Sequence, residues 1–127
     1  MDNLTVVKTF YQSLEAGQLE KAIGLLHADV EWVGMEGFPY GGVSRGPDAV
    51  VKNVFAKFGE EWAIWQAAID EFMDAGDDIV VLGTYKGTYK ATQKSMIAAF
   101  AHVYHVQEGQ IVRFRQFTDT LKVRAAM

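Results

Sequence analysis

The sequence of 127 residues contains no cysteine. Disulfides, thiolate-bound zinc and a cysteine nucleophile are therefore excluded. Basic clusters are also missing, since 12 lysines and arginines are outnumbered by 16 aspartates and glutamates, for a formal net charge of −4. Nucleic acids and anionic membranes are bound by basic faces. Neither is an expected partner of this chain.

Long apolar runs and a leader-like start are absent as well. No stretch approaches the roughly 20 apolar residues of a membrane-spanning helix. The first residues, Met1-Asp2-Asn3, lack the charged-then-apolar layout of a secretory signal, so we expect a cytoplasmic protein. The three histidines show no metal-ligand spacing, and neither a metal nor another cofactor is expected.

The residues that are present have a globular composition. Half of them are hydrophobic and 13% are aromatic, which is typical of a folded chain rather than a disordered one. At this length we expect one domain, residues 1–127, large enough to bury a core without cross-links.

Apolar residues at three- and four-residue steps predict three helices in the first half of the chain. The first stops at Gly17, the second covers 19–26, and the third begins at Pro47, because proline suits the first helical position. A strand at 30–33 and a glycine-rich segment at 34–46 lie between the second and third helices. We predict that this segment is a loop, either a lid over a ligand or a tight surface loop.

The second half predicts strands at about 64–74, 79–89, 95–107 and 110–120, followed by a short helix at 121–127. Helices followed by an antiparallel sheet indicate an α+β fold. A two-residue turn at Glu108-Gly109 sets the register of the last hairpin, with His102 opposite Arg115. Side chains alternate between faces, so one face is expected to carry Phe100, His102, Tyr104, Arg113, Arg115, Phe117 and Asp119.

Asp119 and His102 are the candidate catalytic residues. Burial among aromatic rings disfavours the charged form of a carboxylate, which would suit Asp119 to proton exchange near neutral pH. Asp119 is equally compatible with capping the final helix. His102 is either a polar group of a pocket or an ordinary core histidine bonded to a tyrosine. Arg115 is either an anchor for an anionic ligand or part of a structural ion pair.

Aromatic side chains are the candidate walls of a ligand pocket, although aromatics in a small domain also form the core. Strand 79–89 places Gly83 and Gly87 on the same face as Tyr85, which would leave room for a ligand. The candidate pocket residues are Tyr11, Trp32, Tyr40, Phe58, Trp62, Tyr85, Phe100, Arg115 and Phe117.

Five segments in a fixed order carry a family resemblance: Leu14-Glu15-Ala16-Gly17, Leu26-His27-Ala28-Asp29-Val30-Glu31-Trp32, Gly42-Val43-Ser44-Arg45-Gly46-Pro47-Asp48-Ala49-Val50, Glu108-Gly109-Gln110-Ile111 and Phe117-Thr118-Asp119-Thr120. With them the chain resembles the SnoaL-like branch, named for polyketide cyclases, of the nuclear transport factor 2-like (ketosteroid isomerase-like) superfamily. The resemblance implies a cone-shaped curved sheet, mixed or antiparallel, with three N-terminal helices enclosing a cavity.

The resemblance also implies candidate chemistry. In the cyclases an aspartate at the end of the last strand is the acid/base group, and Asp119 matches it. Arg115 and Asp119 have the spacing found in limonene epoxide hydrolases, but the inner Arg-x-Asp pair of those enzymes is missing. At the ketosteroid isomerase positions the chain has Phe10, Gly34 and His102, so isomerisation by that mechanism is not expected.

Two functions from different classes follow. The first is a protein that binds a small hydrophobic molecule, or an isomerase, cyclase, lyase or epoxide hydrolase-like enzyme that transfers a proton on an apolar carbonyl- or epoxide-bearing ligand. The second is a non-catalytic ligand-binding or dimeric interaction module. An outer sheet face carrying Ala99, Ala101, Val103 and Phe114 predicts a homodimer under either function.

Overall fold

Six strands and four helices make up the computed structural model, which describes residues 1–127. The strands are β1 (Leu26–Gly34), β2 (Gly42–Arg45), β3 (Trp62–Ala75), β4 (Asp78–Tyr89), β5 (Ser95–Gln107) and β6 (Gln110–Thr118). Helices α1 (Asn3–Glu15) and α2 (Leu19–Ile23) precede the sheet, and α4 (Thr120–Ala125) follows it. Helix α3 joins the α-helical turn Pro47–Val50, the π-helical turn Val51–Phe55 and the α-helical stretch Ala56–Glu61.

The strands form one curved sheet in the order β2-β1-β6-β5-β4-β3. Strands β3 to β6 are consecutive antiparallel neighbours, whereas β1 pairs with β6 in parallel. The predicted α+β architecture is therefore confirmed, with a mixed sheet. No helix is long and apolar enough to cross a membrane.

Helix α1 packs its apolar stripe against the sheet. Asp2 caps the helix by accepting a hydrogen bond from the Thr5 backbone N–H at 2.7 Å. The stripe of Val6, Val7 and Phe10 is completely buried or nearly so. The predicted stop at Gly17 agrees with the observed end of the helix at Glu15.

The glycine-rich segment differs from its prediction. Residues Gly42–Arg45 form strand β2, which pairs with β1, so the loop is shorter than expected. Glycines allow the chain to turn back here, because a Cβ atom on Gly34 would lie 2.9 Å from the Gly41 Cα. Helix α3 ends at Glu61.

A bulge changes the register of the last hairpin. The turn itself is as predicted, with Gln107 opposite Gln110, but the register shifts between His105 and Val106. His102 consequently lies opposite Gln116, not opposite Arg115. Since a shift of one residue moves every later side chain to the other face, the expected face assignment of β6 is wrong.

Strand β4 alternates as predicted, with Ile79, Val81 and Tyr85 buried. The expected room beside its glycines is filled by the protein itself. A Cβ atom on Gly83 would lie 2.3 Å from the Phe100 Cζ. The indole ring of Trp62 occupies the corresponding space at Gly87. These glycines accommodate core rings, not a ligand.

Candidate functional site

A cavity of about 780 Å³ lies between the inner face of the sheet and helices α1 and α3. Of the 24 residues that line it, 19 are hydrophobic. The π-helical turn of α3 contributes Val51, Val54 and Phe55 to the wall. Glu15 is the one charged lining residue, and its side chain is exposed at the rim. The interior is therefore mostly apolar and contains no lysine, arginine, aspartate or glutamate side chain.

Six of the candidate site residues line this cavity. They are Tyr11, Trp32, Tyr40, Phe58, Tyr85 and His102. Tyr11 comes from α1, Tyr85 and His102 from the neighbouring strands β4 and β5, and Phe58 from α3. The curvature of the sheet brings these separate elements around one space.

Five polar side chains, here called the polar cluster, meet at the inner end of the cavity: Tyr11, Tyr85, His102, Tyr104 and Gln116. His102 is at its centre. The Tyr11 hydroxyl lies 2.5 Å from His102 Nδ1, and the Tyr85 hydroxyl lies 2.5 Å from Nε2. The imidazole is therefore held from both sides by phenol groups.

The two ends of the polar cluster are also fixed by hydrogen bonds. Tyr104 donates its hydroxyl hydrogen to the Tyr11 oxygen at 2.7 Å, and Gln116 Nε2 donates to the Tyr85 oxygen at 2.9 Å. The Met35 backbone N–H donates to Gln116 Oε1 at 3.2 Å and so orients the amide. No buried side-chain nitrogen or oxygen of the chain lacks a partner. The cluster is a continuous network in which each polar side chain has at least one hydrogen-bond partner.

Burial keeps the polar cluster uncharged at neutral pH. It lowers the pKa of His102 from 6.5 to about 3, because the imidazolium would lose its hydration in the apolar interior. Burial likewise raises the pKa values of Tyr11, Tyr85 and Tyr104 above the usual phenol value of 10.0. Neutral phenols and a neutral imidazole are good hydrogen-bonding partners and weak proton carriers at pH 7.

Aromatic rings form much of the remaining cavity wall. Phe58 and Trp65 stack with ring centroids 4.3 Å apart. Phe38 and Tyr40, from the segment between β1 and β2, pack edge-on against Phe58 at 6.2 and 5.2 Å. The Tyr40 hydroxyl donates to Glu61. This segment therefore forms part of the cavity wall, and its opening as a lid stays a prediction.

The structure corrects the expected position of Asp119. Strand β6 ends at Thr118, and the exposed Asp119 side chain caps α4 by accepting a hydrogen bond from the Lys122 backbone N–H at 3.2 Å. Asp119 does not line the cavity. The expected position of Asp119 among the aromatic rings of a pocket is therefore wrong.

Four other candidates also lie outside the cavity. Arg115 and Phe117 face outward because of the bulge in the last hairpin, and both side chains are exposed. Phe100 stacks on Tyr85 at 4.4 Å and fills the space over Gly83. Trp62 is buried between Trp65 and Tyr89.

Sequence reasoning missed Gln116 and Tyr104 as members of the candidate site. Alternation along β5 placed Tyr104 on the same face as His102, but Tyr104 was not chosen as a site residue. Gln116 was assigned to the other face because nothing in the sequence signals the bulge. No group of three or more histidine, aspartate or glutamate side chains is arranged to hold a metal ion.

Comparison with known families supplies the identification. The SnoaL-like domain family matches residues 7–114, most of the chain. This protein belongs to the SnoaL-like family. A search among curated proteins finds no match.

Solved structures agree with the SnoaL-like assignment. An NTF2-like protein from Burkholderia thailandensis is 38% identical, with 100% of this chain and 98% of that chain covered and a TM-score of 0.97. TerC, co-crystallized with polyporic acid, is 24% identical over 98% and 96% of the two chains, with a TM-score of 0.87. A putative SnoaL-like polyketide cyclase from a Jannaschia species is 15% identical over 98% and 90%, with a TM-score of 0.84. The last two establish similarity of fold.

Proposed function

We propose that this SnoaL-like protein binds a neutral, ring-containing small molecule. The rings of the ligand contact the aromatic part of the cavity, and an oxygen of the ligand accepts a hydrogen bond from the polar cluster. The observation that carries the proposal is the combination of an apolar space of about 780 Å³ with an uncharged, hydrogen-bonded end. Pockets of this size and character suit drug-sized ligands.

Charge argues for a neutral ligand. No lysine or arginine lines the cavity, and Glu15 at the rim would repel an anion. An ionised ligand buried without a partner would lose several kcal/mol of hydration free energy. A ketone, quinone or ether oxygen carries no such cost and still accepts a hydrogen bond.

The similar structures suggest the first probes. TerC was crystallised with polyporic acid, and the Jannaschia protein is described as a putative polyketide cyclase. Both are consistent with ligands that contain rings. A panel of neutral aromatic ketones is therefore the starting set for this chain, and polyporic acid serves as the acidic probe that is expected to bind more weakly.

A test of binding uses isothermal titration calorimetry with this set and two matched variants. Ala67 lines the cavity, whereas Ala75 is exposed at the end of β3. Ala67→Phe places a ring in the cavity and is expected to abolish binding, and Ala75→Phe is expected to bind as the wild type does. Equal affinities for the two variants would contradict binding in this cavity.

Proton transfer is the second candidate function, favoured by His102 lying between two phenols. In this proposal a tyrosine hydroxyl of the polar cluster polarises a ligand carbonyl, water in the cavity takes the proton from the adjacent carbon, and Asp119, which caps α4, takes no part. Exchange of a carbonyl-adjacent C–H for deuterium, followed by mass spectrometry with wild type and His102→Gln, tests the idea. Equal exchange with both proteins would contradict it.

We also propose that the outer sheet face joins two copies of the chain. Ile97 is 63% exposed and Phe117 is 45% exposed on adjacent strands of that face. Phe117 lies opposite Ala101, and Ala99 lies between Ala101 and Ile97 on the same face of β5. Exposed apolar surface of this kind is typical of an interface. Phe114, which was expected on this face, is buried inside and is not part of it.

A further inference from the structure

The number of hydrogens in the polar cluster limits what it can offer a ligand. Four contacts join its five side chains: Tyr104–Tyr11, Tyr11–His102, His102–Tyr85 and Tyr85–Gln116. Met35 fixes the Gln116 amide so that its NH₂ group donates to Tyr85. Tyr104 donates to Tyr11. The neutral imidazole has one N–H, which fills one of the two remaining contacts.

In one tautomer of His102 the imidazole hydrogen is on Nδ1. The imidazole then donates to the Tyr11 oxygen, which already accepts from Tyr104, so the Tyr11 hydrogen is left free. Tyr85 uses its hydrogen on Nε2 and accepts from Gln116. Its oxygen keeps room for one more hydrogen bond. In this state Tyr11 offers a donor to the cavity and Tyr85 offers an acceptor.

The other tautomer exchanges these roles. With the hydrogen on Nε2, the imidazole donates to Tyr85, whose oxygen also accepts from Gln116 and whose own hydrogen becomes free. Tyr11 now donates to Nδ1, accepts from Tyr104 and can accept once more. Either way the cluster presents one donor and one acceptor, on two different tyrosines. With Tyr104 donating to Tyr11 and Gln116 donating to Tyr85, neither tautomer offers two donors or two acceptors from this pair.

We propose that the polar cluster recognises ligands that carry one hydrogen-bond donor and one acceptor, namely a hydroxyl and a carbonyl on the same ring frame, and that the His102 tautomer adjusts to their order. The inference rests on the proposed binding function and names its ligand class. A ligand with two acceptors accepts a hydrogen bond from one tyrosine. Its second acceptor then lies against the oxygen of the other tyrosine, and neither of these two oxygens has a hydrogen to share. Because a buried polar group left unpaired is costly, discrimination of about tenfold or more is expected.

The probes are para-hydroxyacetophenone, which has one donor and one acceptor, and para-methoxyacetophenone, which has two acceptors. Calorimetry is expected to give an affinity for the hydroxyl compound at least about tenfold higher. Tyr85→Phe removes one of the two contacts and is expected to bring the ratio close to one. Tyr89 lies outside the cavity, so Tyr89→Phe should keep the wild-type ratio.

Nitrogen NMR of histidine-labelled wild-type protein gives a second readout that needs no variant in the site, with His102→Gln used only to assign the signals. We expect the Nδ1 and Nε2 signals of a neutral imidazole. We also expect their intensities or shifts to change when para-hydroxyacetophenone is added. A charged imidazole at pH 7 would overturn the inference. Equal binding of the two probes would overturn it and leave the proposed function standing, whereas failure of all aromatic probes to bind would contradict both.

Discussion

Acid should destabilise the wild-type protein more than the His102→Gln variant. The pKa of His102 is lowered from 6.5 to about 3 by burial. Between these values the unfolded chain binds a proton at this position and the folded protein does not. The free energy of unfolding therefore falls as pH decreases below about 6.5, and the loss ends once the folded protein is also protonated near pH 3.

The size of the effect follows from the same two values. Each pH unit within the window costs about 1.4 kcal/mol. Between about pH 7.5 and pH 4.5 roughly two units lie inside the window, so the expected loss is about 3 kcal/mol. This is a large share of the roughly 5–15 kcal/mol by which domains are stable.

Urea unfolding at several pH values, on wild type and His102→Gln, measures the effect. The glutamine amide keeps hydrogen-bonding capacity and does not titrate, so the contributions of carboxylates and the other histidines cancel in the comparison. The wild type is expected to lose about 3 kcal/mol more than the variant across this range. Parallel pH profiles would refute the claim that His102 is buried in its neutral form.

Three further predictions follow from packing and exposure. Gly83→Ala adds a methyl group that overlaps a core ring, and it should lower the free energy of unfolding by about 1–3 kcal/mol. Gly59→Ala, in a helix with open space around it, should raise the free energy of unfolding by up to about 1 kcal/mol. Urea unfolding that shows the same loss of stability for both variants would contradict this. Asp119→Ala should lower the free energy of unfolding by about 1 kcal/mol because the helix cap is lost, and Asp119→Asn should lower it little. Neither variant should change ligand affinity in calorimetry. A weakened affinity would show that Asp119 belongs to the binding site. Ile97→Lys should lower the molar mass in sedimentation. An unchanged mass would exclude this interface.

Local patterns explain why the architecture was predictable. The apolar stripe of α1, the proline that begins α3 and the alternation along β4 each depend on neighbouring residues, and the structure contains all three elements. Strand β2 was missed because four residues beside several glycines carry little signal. Its pairing depends on the close approach of Gly34 to Gly41, which is a tertiary contact.

The candidate site was less predictable because it depends on register. A single bulge, where the register shifts between His105 and Val106, turns Gln116 inward and Arg115 outward. The register predicted without the bulge placed Arg115 on the inner face and Gln116 on the outer face. It also placed Asp119 on the inner face. His102 was placed on the correct face because β5 itself is regular. Its two tyrosine partners come from α1 and β4, and such long-range contacts cannot be read from spacing along one strand.

A crystal structure grown with the tightest-binding aromatic ketone is the most direct test of the account. We predict a ligand ring packed against the Phe58–Trp65 pair, with one oxygen within hydrogen-bond distance of the Tyr11 or Tyr85 hydroxyl. A ligand seated on the protein surface, with the cavity left to water or closed by its own side chains, would contradict the account.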